Sequence, residues 1–118
     1  MTILYTAQFR YGGPDRVDIT TRRQHPVGAA FAPSWTTMVA PFKEGRINWE
    51  QYSERYNAFL RTVPATAINW VLNQPEITFV CFCPKVEICH RSLLAAYFQT
   101  MYPRSCRYAG ERIPQGRW

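Results

Sequence analysis

Ile77-Thr78-Phe79-Val80-Cys81-Phe82-Cys83 is apolar at both odd and even positions, and after Pro84-Lys85-Val86-Glu87-Ile88 the chain reads Cys89-His90-Arg91. A strand with one face in water alternates apolar and polar residues. One without alternation is covered on both faces, as in the middle of a parallel sheet. Beyond Arg91, the residues Leu93, Leu94, Tyr97, Phe98 and Met101 repeat at helical spacing, and Pro103 ends the pattern. The spacing predicts a central strand, a loop, and a helix whose first turn holds Cys89, His90 and Arg91.

Upstream lie two more helical patterns. Trp49, Tyr52, Tyr56, Phe59 and Leu60 form one stripe, with Asn48 placed as an N-cap. After Pro64, the residues Ala65, Ile68, Val71 and Leu72 share a face, and Asn73-Gln74-Pro75 closes the pattern, because proline disfavours helical angles in its predecessor. At the amino end, Ile3–Phe9 and Arg16–Thr20 are strand-like around the turn cluster Gly12-Gly13-Pro14-Asp15. From Gln24 to Ile47 the prolines and glycines predict a long surface loop with short turns. Ser105–Tyr108 reads as a last strand. Together these give an α/β fold, a single small three-layer domain over residues 1–118, with a mostly parallel sheet and helices on both faces.

The composition agrees with a packed domain. Of 118 residues, 47% are hydrophobic and 15% aromatic, which excludes a disordered tail. No apolar run approaches the roughly 20 residues that span a bilayer, and the amino end lacks a basic, cleavable leader, so no membrane partner and a cytoplasmic location are expected. In that compartment Cys81, Cys83, Cys89 and Cys106 are expected to be thiols rather than disulfides. The formal net charge of +6, dominated by arginine, points to an anionic partner; it is equally what a soluble aromatic-rich protein needs.

Ligands of open α/β sheets sit at the carboxyl ends of the strands, where helix N-termini point free amides. Cys83 to Arg91 occupies that position. A thiol on the first helical turn beside Lys85, His90 and Arg91 has its anion stabilised, which makes Cys89 the candidate nucleophile. His90 and Asp18 are candidates to move protons. Arg91, Arg22, Arg23, Tyr5 and Cys83 are candidates to contact a ligand. Each also has a plain reading: buried cysteines pack as small hydrophobes, Cys81 above all, and a lone histidine is usually structural. A phosphatase loop is excluded, because that loop needs five residues between Cys and Arg; Cys83 to Arg91 leaves seven and Cys89 to Arg91 leaves one. Cys83, Cys89, His90 and Cys106 could together hold zinc, but the paired spacing of structural zinc sites is absent, so no metal and no cofactor is assigned.

Leu4-Tyr5-Thr6, Val17-Asp18-Ile19-Thr20-Thr21-Arg22 and Cys89-His90-Arg91-Ser92-Leu93-Leu94-Ala95 resemble the opening strand, the acidic strand and the signature helix of the domain of unknown function 488 family. The stretch from Ala32 through Trp49 and Tyr52 to Arg61 is similar to the family's middle region. Tyr108-Ala109-Gly110-Glu111-Arg112 resembles the ending of small phage-like members. The family's Cys-x-Glu becomes Cys81-x-Cys83 here, which leaves Asp18 or Glu87 to supply any acid. The resemblance implies an α/β fold and names no reaction.

Three functions stay open. The first is binding of, or action on, a nucleotide or nucleic acid, with arginines on phosphates and aromatic rings on a base. The second is a thiol-dependent enzyme using Cys89. The third is a protein-interaction module, or an inhibitor of a host or defence enzyme, anchored by Trp35, Phe42 and Trp118.

Overall fold

In a computed structural model, which describes residues 1–113, four strands form one all-parallel sheet in the order β2-β3-β1-β4. The strands are β1 (Thr2–Gln8), β2 (Arg16–Asp18), β3 (Glu76–Cys81) and β4 (Cys106–Glu111). The helices are α1 (Ala40–Lys43), α2 (Trp49–Leu60), α3 (Ala65–Leu72) and α4 (His90–Met101). The architecture is the expected small three-layer α/β fold, and every strand pairing is parallel.

The doubly apolar stretch is the inner strand β3, between β2 and β1, and every residue of it after Glu76 is buried. β1 and β2 do not pair with each other. Both pair with β3, so the Gly12–Asp15 turn cluster joins parallel strands that lie on either side of it. The last strand is longer than the Ser105–Tyr108 reading. It runs to Glu111, and its register on β1 slips between Leu4 and Tyr5, which pair with Tyr108 and Gly110. Gly110 has φ +115°, a conformation other residues avoid, and so supplies the bulge.

The helices follow their sequence signals. Asn48 accepts from the Gln51 amide at 2.8 Å while Gln51 Oε1 accepts from the Asn48 amide at 2.9 Å, a reciprocal capping box. Tyr52, Tyr56 and Leu60 of the aromatic stripe are buried. Beyond the end of α3 the Gln74 carbonyl accepts from the Thr2 hydroxyl at 2.6 Å, which ties the helix exit to the start of β1.

The 24–47 segment differs from expectation. It folds into a 3-10 turn at Gly28–Phe31, a π-helical turn at Trp35–Val39, and α1. Its turns are organised by local side-chain acceptors: His25 Nδ1 receives the Val27 and Gly28 amides at 3.1 and 2.9 Å, and Ser34 Oγ receives the Thr37 amide at 3.2 Å. The segment is also rooted in the core. Phe31 is fully buried and its ring meets those of Phe79 and Phe98 with centroids 6.2 and 5.8 Å apart, joining loop, central strand and α4. Tyr56 donates its hydroxyl to the Phe31 carbonyl at 2.7 Å.

Candidate functional site

At the carboxyl end of β3 the chain leaves the sheet, makes one 3-10 turn at Val86–Ile88, and enters α4 with Cys89 as its extended N-cap residue. This route folds the end of the strand and the start of the helix onto each other. Three sulfurs result: Cys81, Cys83 and Cys89 have Sγ atoms all within 4.8 Å of one another. Cys81 and Cys83 lie 4.0 Å apart, as two residues on one face of an extended segment do. Cys81, read from sequence as packing, is therefore a full member of the cluster. Cys106 is not: it is buried at the start of β4, with its sulfur 3.3 Å from the Phe98 carbonyl. The set Cys83, Cys89, His90 and Cys106 is thus not what the fold assembles, because Cys106 belongs to an edge strand packed under the far end of α4.

His90 stands against the cluster. Its Nε2 lies 2.8 Å from the Ile19 carbonyl at the end of β2, and its Nδ1 is 3.5 Å from Cys81 Sγ and 3.9 Å from Cys89 Sγ. Burial pushes its pKa down and keeps the ring neutral. The three thiols are inequivalent. Cys83 is half-buried, and hydrogen bonds from the Cys81 and Cys89 thiols, then the nearby His90 and Arg91, hold it well below the ordinary thiol range. Burial pushes Cys89 up to about 11, and Cys81, hydrogen-bonded to Cys83 and Cys89, also rises. The direction of these shifts favours negative charge on Cys83 over Cys89, the thiol that donors and solvent reach.

Arg91 is fully buried and does not face solvent. Its Nε and one terminal nitrogen hold both carboxylate oxygens of Glu111, at 3.1 and 2.7 Å, and the other terminal nitrogen donates to the Cys83 carbonyl at 2.7 Å. Against the desolvation that would lower it, the Glu111 carboxylate holds its pKa high. Arg91, expected to contact a ligand, has its guanidinium paired inside the fold, where it fixes the backbone of Cys83. Glu111 had no clear signal in the sequence. The short Tyr-Ala-Gly-Glu run near the carboxyl end was the nearest hint, and the Gly110 bulge is what turns it to use.

The remaining candidates are spread out. Asp18 is buried at the end of β2; one oxygen accepts the Thr20 amide at 2.8 Å and the other has no protein partner. Arg22 and Arg23 are exposed, with the Arg22 guanidinium 5.7 Å from the centre of the Phe9 ring. Tyr5 lies beneath the Arg112 guanidinium at 3.8 Å.

A pocket opens directly over the cluster. Trp35, Phe42, Trp49 and Tyr52 wall it, and Cys81, Cys83 and His90 line it. Lys43 and Lys85, the chain's two lysines, also line it and are exposed. The aromatic walls are built by a chain of rings, with Phe42 5.7 Å from Trp49 and 5.3 Å from Tyr52. Of the residues singled out in sequence for the site, Cys83 and His90 reach this pocket. Trp35 and Phe42, read as anchors for a partner protein, are part of its wall; Trp118 lies outside the described residues. Among the described residues no helix is long and apolar enough to cross a membrane.

No curated protein and no solved structure matches the chain. One family model does, across residues 11–102, and its description is the active DUF488-N3 subclade. That match spans far more than half of the sequence and includes β2, the aromatic segment, β3, the thiol cluster and α4. The chain belongs to the domain of unknown function 488 family, within its DUF488-N3 subclade.

Proposed function

We propose that the protein binds a planar, anionic ligand of the nucleotide class in the pocket over the thiol cluster and presents it to Cys83. The observation that carries this reading is the pocket's lining: five aromatic side chains, both lysines of the chain, and a half-buried thiol. Aromatic walls accept a flat π-system with little regard to its substituents, and stacking is worth about 1–3 kcal/mol per base. Exposed ammonium groups suit a phosphate as point charges. The net charge of +6 favours the same class of partner. Titration of nucleoside monophosphates, the matching nucleosides and a short single strand, followed by tryptophan fluorescence, tests it. Phosphorylated ligands should quench Trp35 and Trp49 with salt-sensitive affinity, and nucleosides more weakly. Equal or absent quenching by all three would end this reading.

A second reading is favoured by the position of Cys83: the chain is a thiol-dependent enzyme, with Cys83 in the role first read for Cys89. Cys89 is 1% exposed and shielded by its neighbours, whereas Cys83 opens on the pocket. A family described as an active subclade fits a site that does chemistry. Limiting iodoacetamide followed by peptide mapping should label Cys83 first, with protection by the quenching nucleotide. Preferential labelling of another cysteine would reject Cys83 as the nucleophile.

A further inference from the structure

We infer that Cys81, Cys83 and Cys89, completed by His90 Nδ1, form a binding site for one thiophilic divalent ion of the zinc type at the floor of the pocket.

The first support is distance. Tetrahedral zinc, with Zn–S near ~2.3 Å and Zn–N near ~2.0 Å, sets ligand sulfurs roughly 3.8 Å apart and sulfur to nitrogen roughly 3.5 Å. Here Cys81 and Cys83 are 4.0 Å apart, Cys81 Sγ is 3.5 Å from His90 Nδ1, and Cys89 Sγ is 3.9 Å from it. All three sulfurs share one 4.8 Å neighbourhood. Drawing the ligands onto one ion requires side-chain movements of about an ångström, with Cys83 moving toward the Nδ1 that already stands beside Cys81 and Cys89.

The second support is the orientation of the imidazole. The Ile19 carbonyl at 2.8 Å can only accept, so Nε2 carries the hydrogen and Nδ1 offers a lone pair toward the sulfurs. A metal-ligating histidine is characteristically held this way, with its other nitrogen donating to a carbonyl that fixes tautomer and ring orientation. Cysteines that merely pack as small hydrophobes have no need to converge on a ring nitrogen. The usual zinc spacing is missing because the ligands come from two kinds of element: Cys81 ends a strand, Cys83 follows it, and Cys89 and His90 open a helix.

The third support is what holds the ligands. Arg91 clamps the Cys83 carbonyl at 2.7 Å and is itself locked on Glu111, so the least buried ligand is anchored through its backbone. Since Cys81, Cys83 and His90 line the pocket, an ion bound among them lies next to whatever the pocket holds. Binding releases to solvent the protons still held by the thiols and forms three sulfur–metal bonds. A bound ion also occupies the Cys83 lone pair, so metal and alkylating agent compete.

The test uses the whole chain, kept reduced, with the metal alone as probe. Titration with Co²⁺ should give a thiolate-to-cobalt charge-transfer band that saturates at one ion per chain, and Zn²⁺ should displace it. Cys106→Ser should keep both, since that sulfur lies outside the cluster. Cys83→Ser, at a half-buried position that tolerates the change, should weaken binding by about tenfold or more and reduce the band. Zn²⁺ should protect Cys83 from iodoacetamide, and a chelator should restore labelling. Absence of the band in the wild-type chain, or equal loss in Cys106→Ser and Cys83→Ser, overturns the assignment. The inference stands apart from the nucleotide reading, because no nucleotide is present in these measurements and nucleotide quenching is scored on metal-free protein.

Discussion

Arg91 and Glu111 are joined by two hydrogen bonds across twenty residues of sequence, one partner fully buried and the other one-fifth exposed. The pair connects the first turn of α4 to the end of the edge strand β4, and the free arm of the guanidinium holds Cys83.

Glu111→Ala leaves a buried guanidinium without its counter-charge. Breaking a buried pair by removing one partner costs about 3–5 kcal/mol, and the partial exposure of Glu111 lowers that to roughly 2–4 kcal/mol. Urea unfolding measures it. A loss below about 1 kcal/mol would show that solvent, and not Glu111, satisfies Arg91.

Asp15 carries a pH-dependent contribution. Burial would raise its pKa, but the Thr78 hydroxyl at 2.6 Å, the Tyr11 hydroxyl at 2.6 Å and the Arg112 guanidinium at 3.3 Å together hold it below 3.8. A carboxyl depressed in the folded state stabilises the fold above its unfolded pKa, and the contribution disappears as pH falls through the folded value. Asp15→Asn should therefore be less stable than the native chain at pH 7, with the gap closing below about pH 4. A gap that stays constant from pH 7 to pH 2 would remove the carboxylate as its source.

Gly28 sits against the end of β2, where a Cβ would fall 2.0 Å from the Asp18 carbonyl oxygen and 2.9 Å from its carbon. Backbone cannot give way as a flexible side chain does, so Gly28→Ala should cost about 1–3 kcal/mol and lower the melting temperature by several degrees. The control is Gly12→Ala, where nothing lies within 4 Å; comparable losses at both positions would contradict the contact.

The fold was legible where one element decides its own form. The unalternating run at Ile77–Cys83 implied a covered inner strand, and Asn48 with the aromatic stripe implied α2; both depend on residues within a few positions. The 24–47 segment was not, since its turns depend on Phe31 reaching Phe79 and Phe98. In the site, Cys83 and His90 were visible as neighbours of the strand end. Strand spacing puts Cys81 and Cys83 on one face and the start of α4 returns Cys89 beside them, so the meeting of three sulfurs follows from the residue order. Glu111 and Arg91 form a long-range pair, and Arg91 read alone looked like a ligand contact.

Lys43 and Lys85 should affect ligand affinity without affecting the fold. Both are exposed, and neither has an ion-pair partner among the described residues; the Lys43 ammonium lies 5.6 Å from the Trp35 ring centre. If both contact phosphate, Lys43→Ala with Lys85→Ala should weaken nucleotide binding several-fold and flatten its dependence on salt, because fewer counterions are exchanged. Urea stability should stay within about 0.5 kcal/mol, as for surface substitutions generally. Trp35→Ala, at a side chain 52% exposed, should lower affinity for phosphorylated and unphosphorylated ligands alike, because it removes stacking and leaves charge in place. The two variants thus separate the contributions of charge and ring. An unchanged salt slope in the double lysine variant, alongside full nucleotide affinity, would place the phosphate elsewhere on the surface.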